Sequence, residues 1–191
     1  MFEIIYKFSQ LQRWQTNHQL ESSSIDMDTF NIVSDIQKEV VANKDAALKA
    51  FTQRFDNVDI NAIQVAQDEI KSAYNHVDQH YINALKSAAK NIDEYHQKQF
   101  PNDWESSNSK RTYGVQYSAI EAVGLYVPGG RAAYPSSVLM SAIPAKIAGC
   151  DRLVMVSPPT GGSIPPAVLV AADIAGVSEI YQVGGAQAVF A

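Results

Sequence analysis

The sequence predicts an α/β protein in which a helical N-terminal region precedes a parallel sheet with helices packed on it. Three observations carry that prediction. All eight prolines lie at or after Pro101 and all ten glycines at or after Gly114, so the first hundred residues hold neither helix breaker. Charge divides the same way: residues 119–191 carry seven charged side chains and the other 28 precede them. The apolar period also changes, from steps of three and four in the first half to short apolar runs separated by helical stretches in the second. The expected division is a helical region over 1–110 and a sheet region over 111–191.

In the first half, Asp28 is placed to cap a helix with Phe30, Val33, Ile36 and Val40 on one face. Asp45 is placed to cap a second, with Leu48, Phe51 and Phe55 together, closed by Asp56-Asn57. The stretch 58–66 is ambiguous and compatible with a short strand. From Asp68 to Gln99 the positions Ile70, Tyr74, Val77, Tyr81, Leu85, Ala88, Ile92 and Tyr95 keep the helical period, as one helix or two joined near Val77-Asp78. Phe100-Pro101 stops it. The Ser- and Asn-rich 104–111 stretch reads as an exposed linker, and 113–117 as a weakly alternating strand.

The second half contains three apolar runs, 119–127, 153–157 and 179–183. Between them lie two helical stretches. The first, 136–149, has Val138, Leu139, Ile143 and Ile147 in helical register, with Gly149 to close it. The second, 165–176, has proline at its first turn and glycine at its end. The order strand, helix, strand, helix, strand predicts parallel strands joined by right-handed crossovers. Because each strand is almost wholly apolar, both faces of the sheet are expected to be covered.

Composition bounds the function. With 191 residues and 46% hydrophobic side chains the chain holds one domain or two small ones, with material for a core. A net charge of −5 without a basic block disfavours nucleic acid. A single cysteine, Cys150, excludes an intrachain disulfide scaffold and a Cys-rich zinc knuckle, and it fits a reducing cytoplasm. The N-terminus does not read as a signal peptide, and no apolar run has the length of a membrane helix.

Ligands of open α/β sheets bind at the carboxyl ends of the strands. Two glycine turns fall there, Tyr126-Val127-Pro128-Gly129-Gly130-Arg131 and Val183-Gly184-Gly185-Ala186-Gln187. Neither matches G-x-G-x-x-G or a P-loop, and each glycine pair is also what a strand-to-helix turn requires. Other polar residues point to plainer roles. His76 and His80, four apart on a helix, share a face with Asp78 nearby, a spacing that can bind zinc; they lack the His-Glu-x-x-His form and a third ligand, and a solvated face is the simpler reading. His18 and His96 read as surface. Cys150 reads as a small apolar residue, since no base or helix N-terminus activates it. Arg131 has phosphate and open water as alternatives. Lys146 is expected to run its stem along apolar neighbours, and Ser136 and Ser137 to start a helix as capping residues rather than to act as nucleophiles.

The run Gly124-Leu125-Tyr126-Val127-Pro128-Gly129-Gly130-Arg131-Ala132-Ala133-Tyr134-Pro135-Ser136-Ser137-Val138-Leu139-Met140 resembles the signature of the histidinol dehydrogenase family. The resemblance continues through Ile143–Cys150, Ser157-Pro158-Pro159 and Val183–Ala188, and more loosely through Lys44–Leu48 and Phe51–Asp56. It implies an aldehyde-dehydrogenase-like fold with Rossmann-like domains. It further implies oxidation of L-histidinol to L-histidine through the aldehyde, with two NAD and a zinc ion, in a homodimer. The family's NAD contacts carry over to Tyr126 and Gln187, within turns formed by Gly129, Gly130, Gly184 and Gly185. The family's third NAD contact, its Glu-His acid/base pair, its zinc ligands and its substrate contacts would lie beyond Ala191, so no catalytic or metal-ligating residue is assigned here. The expectation is an N-terminal portion of a larger enzyme, its sheet incomplete and inactive by itself. The alternatives are a non-catalytic homologue serving as a binding or dimerisation module, and another nucleotide-binding protein of the same layout.

Overall fold

The computed structural model describes residues 26–130 and 132–191; His18 and Arg131 lie outside the described residues. Helix α1, Met27–Asn43, is capped by Asp26, whose carboxylate accepts from the Asp28 N–H at 3.1 Å and from the Thr29 hydroxyl at 2.6 Å. The cap therefore lies two residues before the expected Asp28, which sits in the first turn where the helix dipole favours an anion. The chain reverses through Lys44, at φ 49°, into α2, Asp45–Asp56. Asp45 is the first helical residue and does not cap. Asn57, left-handed at φ 57°, ends α2.

The long periodic run resolves into two helices. Helix α3, Gln67–Ala73, passes into a 3₁₀ turn, Tyr74–His76; Val77 is extended, and Asp78 caps α4, Gln79–Gln97, by accepting from the His80 N–H at 2.7 Å. His76 and His80 thus belong to different elements, and the shared face expected of them does not exist. Among the described residues no three His, Cys, Asp or Glu side chains converge on a metal position.

The expected linker is instead the first strand of an antiparallel hairpin, β1, Trp104–Asn108, paired with β2, Arg111–Val115. Asn108 turns the chain by accepting from the N–H groups of Lys110 (3.0 Å) and Arg111 (3.1 Å). All ten strand residues are exposed; the weak alternation expected over 113–117 falls partly on β2, whereas β1 carries no apolar alternation that could have marked it. Trp104 meets Tyr113 edge to face at 6.1 Å, and Arg111 stacks on Tyr113 at 5.3 Å.

The remaining elements follow the predicted alternation: β3 Ala122–Tyr126, α5 Pro135–Ile147, β4 Arg152–Val156, α6 Pro166–Ala175, β5 Glu179–Tyr181 and α7 Gly185–Phe190. The strands are parallel in the order β3-β4-β5, with Leu125 opposite Met155 and Met155 opposite Ile180. Gly149 (φ 90°) and Gly176 (φ 76°) close α5 and α6 as expected. Ser136 and Ser137 lie inside the first turn of α5, which starts at Pro135 and has no side-chain cap.

The two crossovers step across the sheet in the same direction, so their helices fall on one face. There Leu125, Leu153, Met155 and Ile180 meet Val138, Leu139, Val168 and Leu169, and α3 and α4 close the layer with Ile70, Ile82 and Leu85. A second cluster joins Ile36 and Val40 of α1, Leu48 and Phe51 of α2, Val183 after β5 and Ala188 of α7. This cluster covers only the β5 side of the opposite face, through Val156 and Tyr181. The other part of that face, with Gly124, Tyr126, Arg152 and Val154, forms the wall of an open cleft of about 810 Å³. The expected cover is thus complete on the α5 and α6 face and partial on the other, where α1, α2 and α7 reach Val156 and Tyr181, because same-direction crossovers carry their helices to one side.

Two polar groupings add to this packing, one between helical elements and one between neighbouring strands. The Tyr74 hydroxyl donates to Asp173 at 2.6 Å; burial, with that carboxylate as acceptor, pushes the phenol up to about 12. Across the open face Arg152 makes two bonds to Glu179 (2.7 and 3.1 Å), and Tyr181 donates to the same carboxylate at 2.6 Å. The guanidinium first, then the phenol, hold the Glu179 carboxyl down to about 2. Its folded pKa lies below the ordinary glutamate value, so its stabilisation is complete above about pH 4.5 and is lost as pH falls toward 2. Glu179→Gln should therefore flatten the fall in melting temperature between those pH values, measured by circular dichroism.

Candidate functional site

The parallel register brings the ends of β3, β4 and β5 to one edge. The ladder runs one residue past β3 and past β4 there: the Val127 N–H donates to the Val156 carbonyl at 2.9 Å, and the Ser157 N–H to the Tyr181 carbonyl at 3.1 Å. Three loops leave this edge together, 127–134 after β3, 157–165 after β4 and 182–184 after β5. The two glycine turns, separated by more than fifty residues of chain, are thus neighbours.

Each named residue has a distinct place. Tyr126 ends β3 on the open face, half exposed, and its phenol accepts from the Gly185 N–H at 2.9 Å. That bond spans from the first glycine turn to the second. Gly130 (φ 115°) and Gly185 (φ 64°) occupy backbone that side chains avoid. Gly129 and Gly184 have ordinary backbone, and their reason is space. A Cβ on Gly129 would lie 2.7 Å from Pro158 Cγ, and one on Gly184 would lie 2.5 Å from Pro158 Cβ. The Gly130 N–H faces the Thr160 hydroxyl at 3.5 Å.

Gln187 sits in the first turn of α7 and is 1% exposed. Among the described residues neither its Oε1 nor its Nε2 has a hydrogen-bond partner. A buried amide with nothing to bond costs free energy, and in native proteins such a group calls for a reason. The amide lies tight against Gly185, where a Cβ would collide with its oxygen. A donor and an acceptor, both unsatisfied, therefore stand beside the phenol-to-amide bridge. Sequence reasoning named Tyr126 and Gln187 through the resemblance; it did not single out Pro158, which only the fold places between the turns.

Cys150 is half-buried just before the start of β4, at the end of the strand away from this edge, in an apolar cleft with His96, Phe100, Tyr117 and Ile120. Lys146 runs out to solvent, with its Nζ against Gly176 at the end of α6.

The family model for histidinol dehydrogenase matches residues 19–191. The chain belongs to the histidinol dehydrogenase family. It is 51% identical over 162 residues to the histidinol dehydrogenase of Agrobacterium fabrum, covering 83% of this chain and 38% of that protein. It is 42% identical over 191 residues to that of Methanothermobacter thermautotrophicus, covering 98% and 45%. Its fold matches the crystal structure of histidinol dehydrogenase from Elizabethkingia anophelis with a TM-score of 0.80 and 36% identity, over 84% of this chain and 37% of that one. The chain thus spans about two-fifths of the length of these relatives and corresponds to an N-terminal portion of them.

Gln187→Met keeps the side-chain length and removes both unpaired polar atoms. Urea denaturation should show the variant more stable than the parent by about 1–2 kcal/mol.

Proposed function

We propose that this chain forms the coenzyme side of a histidinol dehydrogenase site, with NAD lying across the two glycine turns and held by Tyr126 and Gln187. The observation that carries this reading is the orphaned Gln187 amide, buried beside a phenol that already reaches over to the second turn. A carboxamide presents a donor and an acceptor together, which suits the hydroxyls of a ribose or the amide of a nicotinamide. Tyr126, half exposed, can keep its bond to the Gly185 N–H while its ring face meets a ligand. Gly130 and Gly185 leave bare backbone at the same edge.

NAD, when bound, supplies the acceptor for hydride. The chain's own part is to bind and orient it. Removing the proton of an alcohol needs a positioned base, and no residue described at this edge fills that role. Zinc does not fit the residues present, since no ligand cluster exists among those described. In this reading L-histidinol, the zinc and the acid/base pair belong to the part of the family's polypeptide that this chain does not span, and the 191 residues by themselves turn over no substrate. The reading also places the protein in the cytoplasm and makes it a homodimer. The exposed aromatic hairpin of Trp104 and Tyr113 offers apolar surface for such pairing.

Titration of the chain with NAD, followed by intrinsic fluorescence, tests the site. Tyr126→Ala should weaken binding by about tenfold or more, equivalent to about 1.4 kcal/mol, while Cys150→Ala leaves it unchanged. Equal effects of the two would overturn the assignment. With L-histidinol, NAD and zinc all present, NADH absorbance should not rise; a steady rate would show that the acid/base lies within these residues after all.

A further inference from the structure

Glycine at 129 and at 184 is not required by backbone conformation, because neither residue has positive φ. Both are required by a single neighbour. Pro158 Cγ and the Pro158 carbonyl oxygen stand 2.7 and 3.0 Å from the position of a Gly129 Cβ; Pro158 Cβ, Cγ and Cδ stand 2.5, 2.9 and 3.1 Å from that of a Gly184 Cβ. One pyrrolidine ring thus fills the space between two turns that come from different strands. The ring is rigid, with φ fixed and no rotamer by which to yield. Its position is fixed as well. Ser157, just before it, is buried and bonded to the Tyr181 carbonyl, and Thr160, just after, bonds the Ser163 carbonyl at 2.9 Å.

We infer that Pro158 is the spacer that sets the gap between the two glycine turns, and is thereby a positioning residue for the coenzyme contacts Tyr126 and Gln187. The Tyr126–Gly185 bond spans the gap that Pro158 occupies, so the width of the spacer decides whether that bond closes. Two glycines, one proline and one phenol make a single assembly: the proline keeps the turns apart, the missing Cβ atoms let them approach it, and the hydroxyl latches them. The positioning role rests on the reading that these turns take NAD; the spacer itself does not.

Paired substitutions separate the two. Gly129→Ala should lower the melting temperature by about 4 °C in the parent, and by less in a Pro158→Ala background, where Cγ and Cδ are gone and only the carbonyl oxygen at 3.0 Å remains close. Gly184→Ala should not be rescued by Pro158→Ala, because the offending Cβ remains, but should be rescued by Pro158→Gly. Equal costs in every background would overturn the spacer. The Gly185 amide, followed by hydrogen exchange in NMR, should lose protection in Pro158→Ala and keep it in Val138→Ala, a control that empties a fully buried site in α5. If both variants lose it alike, Pro158 is only part of the core. NAD affinity should fall about tenfold in Pro158→Ala and stay constant in Val138→Ala. An intact chain that binds NAD equally well with and without the proline overturns the positioning role. A chain that binds no NAD at all overturns the coenzyme reading alone, and the thermal and exchange measurements still decide the spacer.

Discussion

The parallel register of β3, β4 and β5 is the constraint on which the rest depends. With Leu125, Met155 and Ile180 abreast, the three strands end at one level, and the turns that follow them emerge side by side. A shift of one residue in β3 would turn Tyr126 to the opposite face and bury it against α5 and α6. The register is held from within: Leu125, Leu153, Met155 and Ile180 are all buried in the same cluster, while the alternate positions face the cleft. Hydrophobic pattern, through register, is what aims the phenol.

Several features of the architecture could be read before the fold was known, for a physical reason. The helix breakers are confined to one half, and the crossovers carry their own stop signals; Gly149 and Gly176 stand where the left-handed closing residue must be glycine. What failed to show was structure held by something other than hydrophobic period. The β1–β2 hairpin buries nothing and rests on an Asn turn and an aromatic pair. The apolar spacing runs through Val77 without faltering, so it left one helix and two joined near Val77-Asp78 as alternatives, and the fold is what separates His76 from His80. The cap at Asp26 rather than Asp28 is the choice between two acids two residues apart, which composition does not make.

The site was legible only in part. Tyr126 and Gln187 came with the family resemblance, and neither residue type announces a coenzyme by itself. The fold adds a physical reason for each, an open phenol in one case and a buried amide without partners in the other. It also divides the four glycines into two kinds. Gly130 and Gly185 serve the backbone, whereas Gly129 and Gly184 serve a neighbour that is remote in sequence. No one-dimensional reading of glycine pairs could separate the two kinds, because the deciding atoms belong to Pro158.

The exposed hairpin has a consequence of another sort. Among the described residues the two-stranded ribbon pairs with no further strand, and an edge of that kind is a template on which strands can polymerise, the first step toward fibrils. Here the threat is blunted by the ribbon's own make-up. Its strands are five residues long, serines and an asparagine fill much of β1, Gly114 weakens β2, and Lys110 and Arg111 put charge at the tip. The same polarity that disguised β1 as a linker guards its edge against added strands.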